Sequence, residues 1–185
     1  MNRLSRKYLQ AIIIVVILLC VFYKLNEKYP SSTTIKGILS ENGEGIEISE
    51  VVTVAKINDT ESLVFYRDVL NNLYSALVKK TIRNRWIMKK YTGAIPLINS
   101  VNSVYKNKLI WTWNNFETIT FTYGVIYDSN ITRITIGADE AFLLKDIGMW
   151  YFIDKVKRSL PNDDIKGYNQ DNQLIYSYYP DKALN

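Results

Sequence analysis

The chain has no histidine and a single cysteine in 185 residues. The first absence removes imidazole general bases, Ser-His and Cys-His nucleophile pairs and most catalytic zinc sites. The one thiol, Cys20, sits inside the longest apolar run. The rest of the chain therefore has no disulfide, no thiolate-ligated metal and no thiol nucleophile. A disulfide-free domain outside the cytoplasm is commoner in bacteria without a periplasm than in eukaryotic secretion. Glycine-rich phosphate loops are lacking as well: Gly43-Glu44-Gly45 has neither the P-loop lysine nor the dinucleotide-binding spacing. Ser100-Val101-Asn102-Ser103 lacks the lysine of an S-x-x-K nucleophile. No cofactor or metal site is expected, and the chain reads as a non-enzyme.

Charge of one sign is scarce too. There are 23 Lys and Arg against 18 Asp and Glu, a formal net charge of +5. Arg3, Arg6 and Lys7 supply three of these, which leaves +2 for everything that follows. Such a balance does not suit nucleic acid, and none is expected as a partner.

What the chain does have is an uninterrupted apolar run, Ala11–Phe22, reading AIIIVVILLCVF. Extended to Leu9–Leu25 it would form a helix of about 25 Å at ~1.5 Å per residue. Tyr8 and Tyr23 at its ends and a snorkelling Lys24 suit a lipid bilayer. A cleavable signal is disfavoured because the run passes into Val21-Phe22-Tyr23-Lys24 with no small-residue site. Arg3, Arg6 and Lys7 before the run, against Lys24 and Lys28 after it, favour a cytoplasmic N-terminus. The expectation is a single-pass protein of the cell membrane. Residues 1–8 form a basic cytoplasmic start, 9–25 a transmembrane helix, 26–45 a polar linker, and 46–185 a globular extracytoplasmic domain. The opposite orientation would make that domain a cytoplasmic docking unit.

The linker reading rests on Tyr29-Pro30-Ser31-Ser32-Thr33-Thr34 and Ser40-Glu41-Asn42-Gly43-Glu44-Gly45, with a brief strand at Thr34–Leu39. Beyond it, Val, Ile, Thr and aromatic residues gather in short runs between turns. Expected strands are Val51–Ile57, Ser62–Arg67, Trp86–Tyr91, Leu109–Trp113, Thr118–Tyr127, Ile131–Ile136, Met149–Asp154 and Leu174–Tyr179. The clearest hairpin joins Ile165–Tyr168 to Gln173–Tyr179 through Asn169-Gln170-Asp171-Asn172. Asp68–Lys80 fits a helical face or a strand over Leu73–Lys80. Pro96–Tyr105 and Asp139–Lys145 suit short helices, with Asp139 as N-cap of the second. Val64-Phe65-Tyr66 before Arg85-Trp86-Ile87 echoes Val125-Ile126-Tyr127 before Met149-Trp150-Tyr151, either as an old duplication or as the rhythm of a meander. The expected class is α+β, a mainly antiparallel β ectodomain with a few short helices.

Residues 61–91, ESLVFYRDVLNNLYSALVKKTIRNRWIMKKY, resemble small uncharacterised membrane proteins of Bacillus and related Gram-positive bacteria. The later stretches from Gly124 to Ile136, Trp150-Tyr151, Asp164–Tyr168 and Leu174–Tyr176 resemble the same proteins. The resemblance favours the strand reading of Leu73–Lys80 and implies a membrane-associated protein of unknown activity. It carries no catalytic residue. Those proteins have glycines between the lysine pair and the tryptophan, whereas Thr81-Ile82-Arg83-Asn84-Arg85 has none.

Three groups of residues are candidates for function. Lys79, Lys80, Arg83, Arg85, Lys89 and Lys90 would crowd one hairpin, where they suit anionic headgroups or wall-polymer phosphates, or a solvated hairpin end. Trp111, Trp113 and Phe116 could form an aromatic platform for sugars or peptides, or could fill a core. Asp139-Glu140 and Asp163-Asp164 are the carboxylate pairs a wall- or lipid-modifying hydrolase would need, or else surface turns. The reading that combines these is an extracytoplasmic binding or regulatory module contacting another membrane protein or an anionic wall polymer.

Overall fold

Strict alternation of apolar and polar residues fails in the central strands, and layering is the reason. The computed structural model describes residues 12–18, 31–43, 45–96, 108–116, 119–154 and 164–179. Helix α1 (Ile35–Asn42) precedes strands β1 (Ile48–Lys56), β2 (Glu61–Asp68), β3 (Asn72–Lys80), β4 (Trp86–Tyr91) and β5 (Ile95–Pro96). Then follow β6 (Leu109–Phe116), β7 (Ile119–Ile126), β8 (Arg133–Ile136), β9 (Asp139–Glu140) and β10 (Phe142–Leu144). A 3-10 turn at Lys145–Ile147 leads into β11 (Met149–Asp154), and β12 (Ile165–Tyr168) and β13 (Leu174–Tyr178) complete the order.

These strands make three antiparallel sheets. Sheet A runs β1-β2-β3-β4, with β5 also on β3; sheet B runs β10-β11-β7-β6; sheet C runs β13-β12-β8-β9. One face of sheet A (Leu63, Phe65, Leu73, Leu77) packs on one face of sheet B (Phe121, Tyr123, Val125, Met149). The other face of A (Val64, Tyr66, Ala76, Val78) is covered by α1 through Ile38 and Leu39. The other face of B (Leu109, Trp150) is covered by sheet C through Ile134, Ile136 and Ile165. Helix, A, B and C thus stack as four layers.

Strands in the two inner layers are buried on both faces, so their sequences lose the period-two pattern. Ser62–Tyr66 on β2 and Ile119–Val125 on β7 are continuously buried. Sheet C, solvated on one side, keeps the alternation: Ile165 and Gly167 are buried, Lys166 and Tyr168 only partly so.

The expected strands are present, β4 and β11 with the expected ends and Leu73–Lys80 as β3. Two expected elements need correction. The strand proposed at Thr34–Leu39 is instead α1, whose N-cap Thr34 accepts the Gly37 N–H at 3.0 Å. Burial of Ile38 and Leu39 contributes about 1.5–3 kcal/mol each, so ordered packing begins inside the stretch read as linker. Asp139–Lys145 is not a helix: Asp139 and Glu140 pair with Ile136 and Thr135 as β9, and β10 follows. Pro96 lies in β5, while 97–105 fall outside the described residues. The duplication is not repeated in the pairing, since β3 separates β2 from β4 whereas β7 and β11 are neighbours.

The α+β class is corrected to a mainly β one. Beyond a helical segment at 12–18, the helices among the described residues are α1 and a three-residue 3-10 turn. The transmembrane anchor over 9–25, and with it the single-pass cell-membrane placement, is corrected as well. Of that stretch, residues 12–18 are described. Among the described residues no helix is long and apolar enough to cross a membrane.

Candidate functional site

Strands β3 and β4 form the expected hairpin, and its turn solves a backbone problem without glycine. Asn84 takes the left-handed conformation at φ 58° and its N–H reaches the Thr81 carbonyl at 2.9 Å. Thr81 closes the turn by donating its N–H to the Arg85 carbonyl at 2.7 Å. Asparagine tolerates this region because its short amide bonds locally. That accounts for the missing glycines of Thr81–Arg85.

The turn carries Ile82, Arg83, Asn84 and Arg85 into solvent, and Ile82 is fully exposed at 106%. Arg85 donates to the Ser31 carbonyl, which ties the hairpin to the chain before α1. There Ser32 and Trp86 exchange backbone hydrogen bonds of 3.0 and 2.7 Å. Lys80, itself half-buried, lies 5.6 Å from the centre of the Trp86 ring, a cation–π contact. Lys79 is 3.9 Å from Glu61, a long and weak pair.

Lys89 and Lys90 part company. A bulge between Leu77 and Val78 sets Met88 opposite Val78 and Lys90 opposite Leu77, with Lys89 unmatched between them. Lys90 therefore turns to the A–B side, 5.3 Å from the Phe116 ring and 3.4 Å from the Asn115 carbonyl. Lys89 stays exposed beside a groove of about 360 Å³ that it shares with Asn42, Met88, Lys90 and Tyr91. Lys80, Arg83, Arg85 and Lys89 thus form a basic track along the β4 edge of sheet A.

The aromatic trio is not brought together. Phe116 is 1% exposed in the core between A and B. Trp111 points to sheet C, where its Nε1 donates to the Tyr176 hydroxyl at 3.2 Å and its ring meets Tyr178 edge-on at 4.8 Å. Trp113 is half-buried on β6. The carboxylates are dispersed too. Asp139 and Glu140 are exposed on β9, Asp164 pairs with Lys166 at 3.0 Å, and Asp163 lies outside the described residues.

Two polar features escaped the sequence reading. Asp68, at the β2–β3 turn, is 6% exposed. Burial pushes its carboxyl up, but donors outweigh that and hold it below the usual carboxylate range. They are the Asn72 side chain and N–H, both at 2.7 Å, the Tyr74 hydroxyl at 3.1 Å and the Leu70 N–H. Arg67 beside it pairs with Glu50 at 3.1 Å, while its Nε is buried with no hydrogen-bond partner among the described residues. An unmet donor of this kind costs about 1–3 kcal/mol. An Asn four residues after an Asp is a weak signal for such a turn; a lone strand arginine is none.

The molecule is therefore a layered, mainly antiparallel β protein with a basic strand edge. Comparison with protein-family models, with curated proteins and with solved structures finds no match. None of the three bears on the resemblance to small Gram-positive membrane proteins.

Proposed function

We propose that the chain is a non-catalytic binding module that holds a linear polyanion against the β4 edge of sheet A. The observation that carries this reading is the basic track itself: Lys80, Arg83 and Arg85 gathered by one hairpin, with Lys89 further along the same strand. From Arg85 to Lys89 the edge runs about 13 Å at ~3.3 Å per residue. That length suits several repeats of a phosphate- or carboxylate-bearing polymer better than one small ion. The exposed Ile82 at the tip and the groove beside Lys89 add apolar contact at the two ends.

Magnitudes set the affinity class. Each basic side chain near a charged surface contributes about 1 kcal/mol, so four give a dissociation constant on the order of 1 mM. Repeated sites on a polymer strengthen apparent binding through avidity. Salt weakens it, because exposed charges are screened beyond about 8 Å at physiological ionic strength.

Titration calorimetry with long-chain inorganic polyphosphate at low salt tests the reading. Lys80→Glu combined with Arg83→Glu and Lys89→Glu should abolish measurable heat while circular dichroism shows an unchanged fold. Undiminished binding by the folded triple variant would refute it.

A further inference from the structure

We infer that a second site, at the end of the A–B sandwich away from the basic hairpin, takes a small zwitterion with a short aliphatic body, of the size of a free amino acid. A cavity of about 290 Å³ opens there, lined among others by Arg67, Asn71, Val125, Asp146 and Ile147. At ~30 Å³ per water this is space for about ten water-sized groups, close to the size of an aliphatic amino acid.

The walls are chemically divided. Arg67, its side chain 18% exposed, reaches the cavity from the end of β2 and pairs with Glu50 rather than with Asp146. A guanidinium stays charged, and its planar fork matches a carboxylate. Asp146 comes from the 3-10 turn before β11 and is exposed. Val125, 4% exposed, and half-buried Ile147 supply an apolar floor belonging to the A–B core.

The Asp68 turn makes the Arg67 wall firm. Asn71, in the left-handed conformation at φ 65°, is held there as its N–H bonds the Asp68 carbonyl at 3.1 Å. The buried Asp68 carboxylate ties down the next residue, Asn72. A ligand carboxylate against Arg67 and an ammonium against Asp146 would bridge two opposite charges that do not meet directly.

The test is calorimetry with leucine, 4-methylpentanoate (no ammonium) and 3-methylbutylamine (no carboxylate). Leucine should bind saturably, and each analogue at least about tenfold more weakly, the loss of one charge-assisted contact. Asp146→Asn, an exposed change that leaves the fold intact, should weaken leucine by about tenfold and strengthen 4-methylpentanoate. Arg67→Lys should weaken both. No saturable leucine binding, an analogue as tight as leucine, or leucine binding indifferent to Asp146→Asn would each overturn the assignment. The hairpin triple variant should bind leucine as the wild type does.

Discussion

The hydroxyls of Thr92 and Tyr123 meet at 2.8 Å inside the core, and this contact joins sheet A to sheet B through polar groups. Thr92 also contacts the Ser75 hydroxyl at 2.8 Å, and Tyr123 donates to the Gly93 carbonyl at 3.3 Å. Apolar residues surround this short chain of hydroxyls. It fixes the register of two faces that hydrophobic packing alone would leave free to slide.

Tyr123→Phe removes one end of that chain but leaves Thr92 bonded to Ser75. The expected loss is about 1 kcal/mol in denaturant unfolding, at the low end for a buried hydroxyl because one partner survives. The same tyrosine predicts alkaline behaviour. Burial pushes the Tyr123 hydroxyl up, only partly countered by Thr92 and Ser75, and burial pushes Tyr66 up as well. A group with a raised folded pKa contributes stability that is complete below its unfolded value, about 10 for tyrosine, and lost as pH rises beyond it. Melting temperature should fall above pH ~10, and a Tyr66→Phe, Tyr123→Phe variant should lose less over that window.

Gly124 is sterically compelled. A β-carbon there would stand 2.0 Å from the Ile110 carbonyl oxygen and 2.8 Å from both the Trp111 Cα and the Trp150 Nε1. Backbone on one side and a fully buried indole on the other cannot move aside. Gly124→Ala should cost about 1–3 kcal/mol, the range for overpacked cores, measured by urea unfolding. Gly93→Ala is the control, since no described residue lies within 4 Å of the added carbon.

Asp68 predicts an acid limb of the opposite sign. Its folded pKa is held below the unfolded value of about 3.9 by the Asn72 and Tyr74 donors, despite burial. Its stabilisation is therefore present above pH ~4 and lost as pH falls through the lower folded value. Wild type should lose stability on acidification below about pH 4, and Asp68→Asn should flatten that slope while lowering stability at pH 7. A variant with an unchanged acid slope would show that other carboxylates set it.

Strand positions were largely legible because β-branched and aromatic clusters between turns carry local information, as in Trp86–Tyr91 and Met149–Asp154. Helix α1 was not. Its eight residues, with Gly37 inside, are too few to hold a helix alone, and packing of Ile38 and Leu39 on sheet A supplies the stability. Asp139 looked like a helix cap, but the chain turns back there and pairs it with Ile136. The basic hairpin was visible as a run of charge, yet its composition was not: the bulge opposite Leu77 and Val78 sends Lys90 to Phe116 and leaves Lys89 outside. A one-residue offset of that kind changes which face a side chain meets, and nothing local in the sequence marks it. The aromatic trio failed for a related reason, since Trp111 and Phe116 lie an odd number apart on β6 and serve opposite faces.

Hydrogen–deuterium exchange with and without long-chain polyphosphate tests the central claim most directly, because it maps contact without altering the surface. Slowed exchange should concentrate at 80–91, with the Asn42 end of α1 that borders the same groove. The outer face of sheet C, where Arg133 stacks 4.0 Å over Tyr168, is the rival cationic surface and should be unaffected. Protection there instead, with residues 80–91 unchanged, would contradict the assignment of the β4 edge as the binding surface.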